Sequence, residues 1–380
     1  MASAKQASRR LLDALRNNPG SSSKVYKAVN NAIQYHFEGG PQVSIEDAVY
    51  MLKTRDPNEI ALIGLAADAV REEHVGDRVG YAINRNINFT NSCVKRCGFC
   101  AFSRTGVDSE AYFLPKEEVV RRAEEAVSFG ATEICVQAGL PPNMKPNLYT
   151  DIASTIKAKL PEVHLHAFSP EEVLYGASRS KRSAREMLLA LKESGVDTIP
   201  GTSAEILDDG IRAKIAGQRL STERWYIRRS GYLSLQQLMR YGHIETAEHI
   251  AKHIDILRQI QRKTGGFTEF VPLSFVASDA PMYAKKNILN MRGGPSGAEV
   301  LLMHSVARLM LSGDINNLQC SWPKEGMRMA QILLGHGVND LGGTLMNESI
   351  STAAGAQHGQ LARPRELRAL ATEVMLLKHI

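Results

Sequence analysis

The stretch Asn88-Phe-Thr-Asn-Ser-Cys93-Val-Lys-Arg-Cys97-Gly-Phe-Cys100-Ala-Phe102 carries three of the five cysteines of the 380-residue chain. Their spacing, C-x₃-C-x₂-C, places three thiolates on one short loop. Three thiolates can bind three irons of a [4Fe–4S] cluster and leave the fourth iron open, whereas electron-transfer clusters use four cysteines. A structural zinc site prefers four ligands, often in paired C-x₂-C units. Since only one such pair is present, the loop favours an iron–sulfur cluster on Cys93, Cys97 and Cys100.

The chain around this loop alternates short apolar or β-branched runs with longer amphipathic stretches, which is typical of strands and helices in turn. The runs are residues 86–90, 133–137, 163–168, 198–202, 238–243, 267–275, 317–322 and 340–345. Eight strand–helix alternations predict an α/β fold, a (β/α)₈ TIM-type barrel whose active site forms at the carboxyl ends of the strands. We therefore predict a helical N-terminal extension over residues 1–80 and the barrel with C-terminal helices over residues 81–380.

Polar or small residues follow several predicted strands, where a barrel enzyme would bind its cofactor. Gln137 and Gly139 end the second strand, and a glycine there lets a ligand approach the backbone. Glu205 follows the fourth strand and could bond ribose hydroxyls, although it could equally be an acid in the first turn of the next helix. Phe99, beside the last cysteine, could stack on a cofactor ring or simply pack in the core.

Three histidines and one glutamate are candidates for substrate binding and catalysis. His164 and His166 are two apart on the third strand, so both face one side. Without a third ligand nearby, hydrogen-bonded interior histidines are favoured over a metal pair. His243, after the fifth strand, is a candidate proton donor or substrate anchor, and a structural histidine fits as well. Glu269 lies within an apolar strand, where an unpartnered charge is costly, so we expect it to be functional or paired.

Composition excludes several other classes of protein. The formal net charge is +6 without a long basic run, which does not predict a nucleic-acid partner. No uninterrupted apolar stretch approaches the roughly 18 residues of a membrane span, and the basic N-terminus lacks the apolar region of a secretory signal. Few cysteines, clustered rather than spread, suit a reducing compartment. A cytoplasmic location without membrane attachment is therefore expected.

The cysteine motif and its flanks resemble the radical S-adenosylmethionine (SAM) superfamily. Within it, residues 82–359 resemble the tyrosine-dependent subunits of deazaflavin (FO) synthase. The matching stretches include His164-Leu-His-Ala-Phe-Ser-Pro170, Tyr241-Gly-His-Ile-Glu-Thr246, Thr264-Gly-Gly-Phe-Thr-Glu-Phe-Val-Pro272 and Asp340-Leu-Gly-Gly-Thr-Leu345. Two radical SAM families of the futalosine route to menaquinone share the cysteines and much of the sixth strand. The double-histidine strand and Glu269 are more similar to the deazaflavin enzyme.

This resemblance implies a transferase that joins the 4-hydroxybenzyl group of L-tyrosine to 5-amino-6-(D-ribitylamino)uracil in FO biosynthesis. The implied by-products are 2-iminoacetate, methionine and 5′-deoxyadenosine. The implied cofactors are a [4Fe–4S] cluster and SAM, bound at the open iron. An electron donor and a companion FO synthase subunit are the implied partners. The alternatives are a futalosine-pathway radical SAM enzyme or a non-catalytic iron–sulfur protein, and the three-cysteine motif argues against the latter.

The candidate residues take roles in this scheme. SAM binding is assigned to Phe99, Gln137, Gly139 and Glu205. His164 and His166 are assigned to the substrates. Catalysis is assigned to His243 and Glu269.

The chain departs from the family pattern at Trp225-Tyr-Ile-Arg-Arg-Ser-Gly-Tyr-Leu-Ser-Leu-Gln-Gln-Leu238, which looks a few residues short. The family usually has here a helix followed by a strand that reads roughly Gly-Ile-Pro-Thr-Thr-Ala. Ser234-Leu-Gln-Gln-Leu238 can be encoded by a DNA string that also encodes Ile-Pro-Thr-Thr-Ala when its reading frame starts one base earlier. We hypothesise a compensated frameshift here, natural or from sequencing, and resequencing this part of the gene tests it directly.

Overall fold

The computed structural model describes residues 23–202, 204–227, 233–286 and 288–378. The first 22 residues of the predicted N-terminal extension lie outside the described residues, as does Ser203. So do residues 228–232 of the segment that departs from the family pattern.

Parallel strands form the centre of the molecule. Their bounds are β1 Gly80–Ala82, β2 Asn84–Ile87, β3 Glu133–Val136, β4 His164–Ala167, β5 Thr198–Ile199, β6 Ser234–Tyr241, β7 Phe267–Ser274 and β8 Asp340–Gly343. β2 to β7 pair in chain order, and β1 pairs with β8. Parallel bridges join residue 270 to 318, residue 319 to 340, and residue 85 to 346. Pairing therefore runs all the way round, which confirms the predicted (β/α)₈-type barrel.

Helices follow the strands and precede the barrel. Their bounds are α1 Lys24–Glu38, α2 Ile45–Lys53, α3 Pro57–Val75, α4 Lys116–Ser128, α5 Leu148–Lys159, α6 Pro170–Arg179, α7 Ala184–Glu193, α8 Asp209–Ala216, α9 Thr222–Ile227, α10 Ala247–Thr264, α11 Pro281–Ala284, α12 Gly297–Leu311, α13 Trp322–Glu325, α14 Met327–Leu333, α15 Ile350–Ala353 and α16 Pro364–Lys378. In the lead-in, α2 packs on α10 and α3 packs on α12. The N-terminal helices thus cover the outside of the barrel near its last strands.

Local sequence signals fix the ends of these elements. Ser44 and Ser169 each form a reciprocal capping box with the residue three positions later, which satisfies free N–H groups at the starts of α2 and α6. Gly265 ends α10 in the left-handed conformation, with φ of 59°, which only glycine adopts without strain. Serine before the first turn and glycine after the last turn therefore set where these helices begin and end.

The fifth predicted strand begins earlier than predicted. We placed it at residues 238–243, and the structure places β6 at Ser234–Tyr241. Leu235, Gln237 and Met239 are buried against the outer layer, so the two-residue alternation extends upstream of the predicted start. The end of the segment that departs from the family pattern therefore forms a regular barrel strand in this chain.

None of the helices in the described part of the chain has both the length and the apolar composition that a membrane crossing requires.

Candidate active site

The three clustered cysteines lie on the loop after β2, at the carboxyl ends of the strands. Cys97 is buried, and Cys93 and Cys100 are partly exposed. All three line one cavity of about 760 Å³, and the basic residues Lys95 and Arg96 belong to the same wall. Positive charge beside a thiol favours the thiolate and an anionic cluster. The loop therefore has the donors and the electrostatic setting that an iron–sulfur cluster requires.

Backbone contacts from distant parts of the chain fix the shape of this loop. The Gly98 N–H donates to the Ile215 carbonyl at 2.8 Å, and the Met282 N–H donates to the Gly98 carbonyl at 2.7 Å. A Cβ atom on Gly98 would lie 2.8 Å from the Met282 Cβ, closer than packed side chains allow. Glycine between the second and third cysteines is thus a packing requirement.

Arg219 contacts the cysteine loop directly. Its Nε donates to the Cys97 Sγ at 3.0 Å. Burial raises the pKa of the Cys97 thiol, and the Arg219 guanidinium opposes that rise by stabilising the thiolate. Arg219 lies between α8 and α9, 122 residues beyond the cysteine, so no local pattern could have predicted it.

Glu205 and Phe99, predicted separately as cofactor-binding residues, belong to one cluster. The buried Glu205 carboxylate accepts from Arg219 Nη1 at 2.9 Å and from Arg240 Nε at 2.9 Å. The Arg240 guanidinium also lies over the Phe99 ring, 4.4 Å from its centre. Burial acts to raise the pKa of Glu205, but the two arginines outweigh it and lower the pKa. Both carboxylate oxygens are therefore engaged by guanidinium groups beside the cysteine loop.

The alternative role for Glu205, an acid in the first turn of a helix, does not match the structure. α8 begins at Asp209, and the Asp208 side chain caps it by accepting from the Ile211 N–H. Glu205 lies before this cap with a φ of 44°, a left-handed conformation that is unfavourable for glutamate. The fold holds this residue in place through its ion pairs rather than through helix formation.

Gln137 and Gly139 lie where β3 meets the cysteine loop. Thr202 Oγ1 donates to Gln137 Oε1 at 3.2 Å, and Gln137 lines the inside of the barrel. A Cβ on Gly139 would lie 2.3 Å from the Ser92 carbonyl oxygen. We predicted that Gly139 lets a ligand approach the backbone. In the structure, the backbone of the cysteine loop makes that close approach instead.

The two strand histidines share one partner and gain a neighbour from the next strand. His164 Nε2 and His166 Nδ1 each lie 2.7 Å from the Thr198 hydroxyl. Glu133 is in register with His164, and one donor atom from each of the three groups lies within 4.8 Å of the others. The third potential metal ligand, which sequence spacing did not reveal, is thus Glu133. Burial lowers the pKa of His166 and keeps its ring neutral.

His164 and Glu269 do not lie at the carboxyl ends of the strands, where a barrel active site is expected, and His166 is the third of the four residues of β4. Glu133 and His164 are the first residues of β3 and β4, and Asp340 is the first of β8. Glu269 is the third of the eight residues of β7. These groups therefore lie at the amino-terminal end of the barrel, away from the cysteines that follow β2. The sequence placed these residues within strands, and only the strand bounds show at which end of the barrel their side chains lie.

Glu269 is paired, as the sequence led us to expect. Gln236 Nε2 donates to its Oε1 at 2.7 Å, and Asn317 Nδ2 donates to its Oε2 at 3.0 Å. The same Asn317 amide lies 3.0 Å from Asp340 Oδ2 and so bridges the two acids. Burial and the nearby Asp340 raise the pKa of Glu269 to about 8, and burial raises the pKa of Asp340 to about 6.

The raised pKa of Glu269 predicts a pH dependence of stability. Between pH 4.5 and about 8, the unfolded chain loses this proton while the folded protein keeps it, so stability falls as pH rises. Replacing Glu269 by Gln removes the titration and should make that fall shallower. Urea unfolding at pH 5 and pH 8 measures the difference between the two proteins. Equal losses in both would show that Glu269 ionises normally in the fold.

A single cavity of about 560 Å³ runs through the barrel, and we refer to it as the lumen. Its amino-terminal half contains Glu133 and Glu269, and its carboxyl-terminal half contains Arg240 and Lys324. Lys324 Nζ donates to Ser351 Oγ at 2.8 Å, and burial lowers the pKa of this lysine to about 8. Sequence analysis missed both cations because neither lies in a recognisable motif.

His243 lies outside the walls of the two cavities described above. Its ring is fully buried, with Nδ1 accepting from the Ile244 N–H at 2.8 Å and Nε2 lying 3.2 Å from the Arg240 carbonyl. Burial lowers the pKa of His243 and so favours the neutral ring. These are the contacts of a structural histidine, the alternative that the sequence left open.

Comparison with family models agrees with this geometry. Residues 87–259 match the Radical SAM superfamily, and residues 264–364 match the CofH/MqnC C-terminal region. The first match contains the cysteine loop, and the second contains Glu269 and Asp340. This chain, a parallel barrel with three cysteines on the loop after β2, is therefore a radical SAM enzyme.

Comparison with curated relatives identifies one family within the radical SAM enzymes. The chain is 45% identical over 330 residues to the 5-amino-6-(D-ribitylamino)uracil–L-tyrosine 4-hydroxyphenyl transferase of Methanothermobacter thermautotrophicus, covering 86% of this chain and 89% of the relative. It is 44% identical to the same transferase of Methanocaldococcus jannaschii, over 82% and 88% of the two chains. Identity to the FO synthase of Mycobacterium tuberculosis is also 44%, but only 38% of that longer protein is covered. The chain therefore belongs to the family of these 4-hydroxyphenyl transferases.

Solved structures support the fold alone. Methylornithine synthase (PylB) matches with a TM-score of 0.66 at 17% identity, covering 94% of this chain and 96% of that one. The hydrogenase maturase HydG matches with a TM-score of 0.68 at 16% identity, covering 97% and 78%. At these identities the likeness extends to the barrel and not to the reaction.

Proposed function

We propose that this protein joins the 4-hydroxybenzyl group of L-tyrosine to 5-amino-6-(D-ribitylamino)uracil, as a radical SAM transferase of deazaflavin biosynthesis. The observation that carries the proposal is the 45% identity to a transferase of that name over nearly its whole length. The structure adds a three-cysteine loop and a lumen of a volume typical of small-molecule sites. An external electron donor and a companion subunit that uses the product belong to the same proposal.

Cys93, Cys97 and Cys100 would hold the [4Fe–4S] cluster. The residues around them fit an anionic group, since Arg219 donates to the Cys97 sulfur and Lys95 and Arg96 line the same cavity. Bound there, the cluster and SAM would supply the radical chemistry that the reaction requires.

The chain's own side chains orient the reactants and exclude water. Gln137 lines the lumen, Phe99 packs against the Arg240 guanidinium, and Glu205 positions Arg240 and Arg219 beside the cysteine loop. In the lumen, we assign His164 and His166 to substrate binding and Glu269 to holding a proton close to the substrate. Enclosure by barrel strands keeps a reactive radical away from solvent.

The direct test is anaerobic incubation of the reconstituted protein with reductant, SAM, tyrosine and ribitylaminouracil, with products identified by mass. We expect an adduct that carries one 4-hydroxybenzyl group. Turnover of a futalosine-type nucleoside, with no adduct from tyrosine, would contradict the proposal and favour the menaquinone-route enzymes. SAM intact after incubation would contradict any radical SAM activity.

Replacing Glu205 by Ala is expected to weaken SAM binding by roughly 1.5–3 kcal/mol, because two guanidinium groups beside the cofactor site lose their shared carboxylate. Glu205→Gln keeps the shape and one acceptor, and we expect an intermediate affinity. Equilibrium binding of SAM to the cluster-loaded variants measures both. Unchanged affinity together with reduced unfolding stability would restrict Glu205 to a structural role.

A further inference from the structure

We propose that the amino-terminal half of the lumen binds the polyhydroxylated chain of the uracil substrate, with its heterocyclic ring directed toward the cysteine loop. This inference rests on the proposed function and adds to it which end of that substrate lies where in the barrel.

The lower half of the lumen, meaning its amino-terminal half, is lined by groups that suit hydroxyls. Its wall includes Asn84, Glu133, His164, Gln236, Glu269 and Asp340. A hydroxyl donates one hydrogen bond and accepts two, so a chain of hydroxyls requires both donors and acceptors around it. Carboxamides, imidazoles and carboxyls provide that mixture. These groups already bond one another, as Gln236 does with Glu269 and Asn84 with Glu133, and their remaining donor and acceptor positions suit a polar ligand better than an aromatic ring.

Charge separates the two halves of the lumen. Among the described residues of its wall, the lysine and arginine side chains are Arg240 and Lys324, and both lie in the upper half, nearer the cysteines. The carboxyl groups of the lower half are those of Glu133, Glu269 and Asp340, and Glu348 adds one carboxyl to the upper half beside Lys324. The carboxylate of an amino acid finds cations in the upper half and none among the described wall residues of the lower half. An uncharged polyol chain requires no cation, so tyrosine belongs above and the polyol below.

The bridged pair of acids strengthens this assignment. One Asn317 amide lies 3.0 Å from both Glu269 and Asp340, which holds the two carboxyls side by side. Burial raises the pKa of Glu269 to about 8, so near neutral pH this carboxyl keeps a proton and can donate as well as accept. A neighbouring acid that donates and accepts is a suitable partner for vicinal hydroxyls.

The length of the lumen suits a ring and a chain placed end to end. Gln236 is in register with Glu269 at one level, and Arg240 is in register with Leu273 at another. Four residues of strand separate these levels, which corresponds to about 13 Å. A heterocycle at the upper level and a five-carbon chain reaching the lower level would occupy this distance in line with the strands.

The test compares two uracil substrates that differ only in the chain. One is 5-amino-6-(D-ribitylamino)uracil, and the other carries a methyl group in place of the ribityl chain. We expect the wild-type protein to favour the ribityl substrate in kcat/KM by on the order of 100-fold or more, because its hydroxyl-binding groups stay unpaired with the analogue. Asp340→Asn and Glu133→Gln should each reduce that preference about tenfold, by raising the KM of the ribityl substrate alone.

An upper-half variant provides the matched comparison. Ser321 lines the lumen two residues beyond Gln319, which bridges to Asp340, so Ser321→Ala removes a polar group above the level of Asp340 and should leave the preference for the ribityl chain intact. Collapse of the preference in Ser321→Ala, or its persistence in both lower-half variants, would overturn the proposed orientation. A rise in the KM of tyrosine in the lower-half variants would also overturn it, since the amino acid would then lie below.

A binding measurement distinguishes failure of this inference from failure of the proposed function. Equilibrium binding of ribitylaminouracil to the cluster-loaded protein should weaken in Asp340→Asn and Glu133→Gln even if turnover is lost, with cluster content and circular dichroism confirming the fold. Absence of any tyrosine adduct from the wild-type protein would overturn the proposed function, and this inference with it. An adduct formed with equal efficiency from both uracils would overturn the inference alone.

Discussion

The Cys97→Ala variant is expected to produce no 5′-deoxyadenosine when it is reduced in the presence of SAM. Cys97 is the buried member of the three cysteines, and Arg219 donates to its sulfur at 3.0 Å, so its loss removes one of the three thiolates and one of the partners of Arg219, which also pairs with Glu205. Anaerobic reconstitution of the wild-type protein should give about four irons and four sulfides per chain. The variant should retain fewer and should cleave no SAM in an assay read by chromatography.

Cys320→Ala is the control for this variant. Cys320 is fully buried in the barrel segment between β7 and β8, and burial raises the pKa of its thiol well above that of a free cysteine. Removing it should reduce stability by about 1 kcal/mol and leave SAM cleavage in place. Full SAM cleavage by Cys97→Ala would show that the cluster is not held by this loop.

Glu269→Gln is expected to remove most of the transfer activity, by a factor on the order of 100, while the cluster and SAM cleavage remain. The glutamine keeps the size of the side chain and can still accept from Gln236 or Asn317, but it replaces the buried acid that holds the polyol chain and so misplaces the uracil substrate. Because Glu269 lies at the far end of the lumen from the cysteines, the change should not disturb iron content. Adduct formation and 5′-deoxyadenosine formation, measured in one reaction, separate the two activities.

Glu118→Gln is a suitable control for that measurement, since Glu118 lies on α4 outside the barrel and pairs there with Arg121 and Arg122. We expect wild-type adduct formation from it. A wild-type rate from Glu269→Gln would leave the family assignment unchanged and would remove Glu269 from the site.

The barrel could be predicted because its signals are local. Apolar runs and amphipathic stretches alternate along the chain, and this periodicity survives without knowledge of which strand pairs with which. The cysteine loop was equally accessible, since its three ligands lie within eight residues. The start of β6 was missed because Gln236 and Gln237 read as polar loop residues, whereas one faces the lumen and the other is buried.

The rest of the site depends on register and on long-range contacts. Glu133 joins His164 only because β3 and β4 pair at those residues, and Asp340 joins Glu269 only through the amide of Asn317. Arg219 reaches Cys97 from a loop between two later helices. The spacing of residues in the sequence does not reveal these contacts. The position of a side chain along the barrel axis can be assigned only when the bounds of its strand are known.

The backbone partners of Gly98 have a consequence for the biogenesis of the enzyme. The cysteines lie close to the end of the first quarter of the chain, but the loop between them is held by Ile215 and Met282. A ribosome that has released only the first half of the chain therefore presents three cysteines without the scaffold that shapes them. The loop can take its final shape only after the segment that contains Met282 has been synthesised.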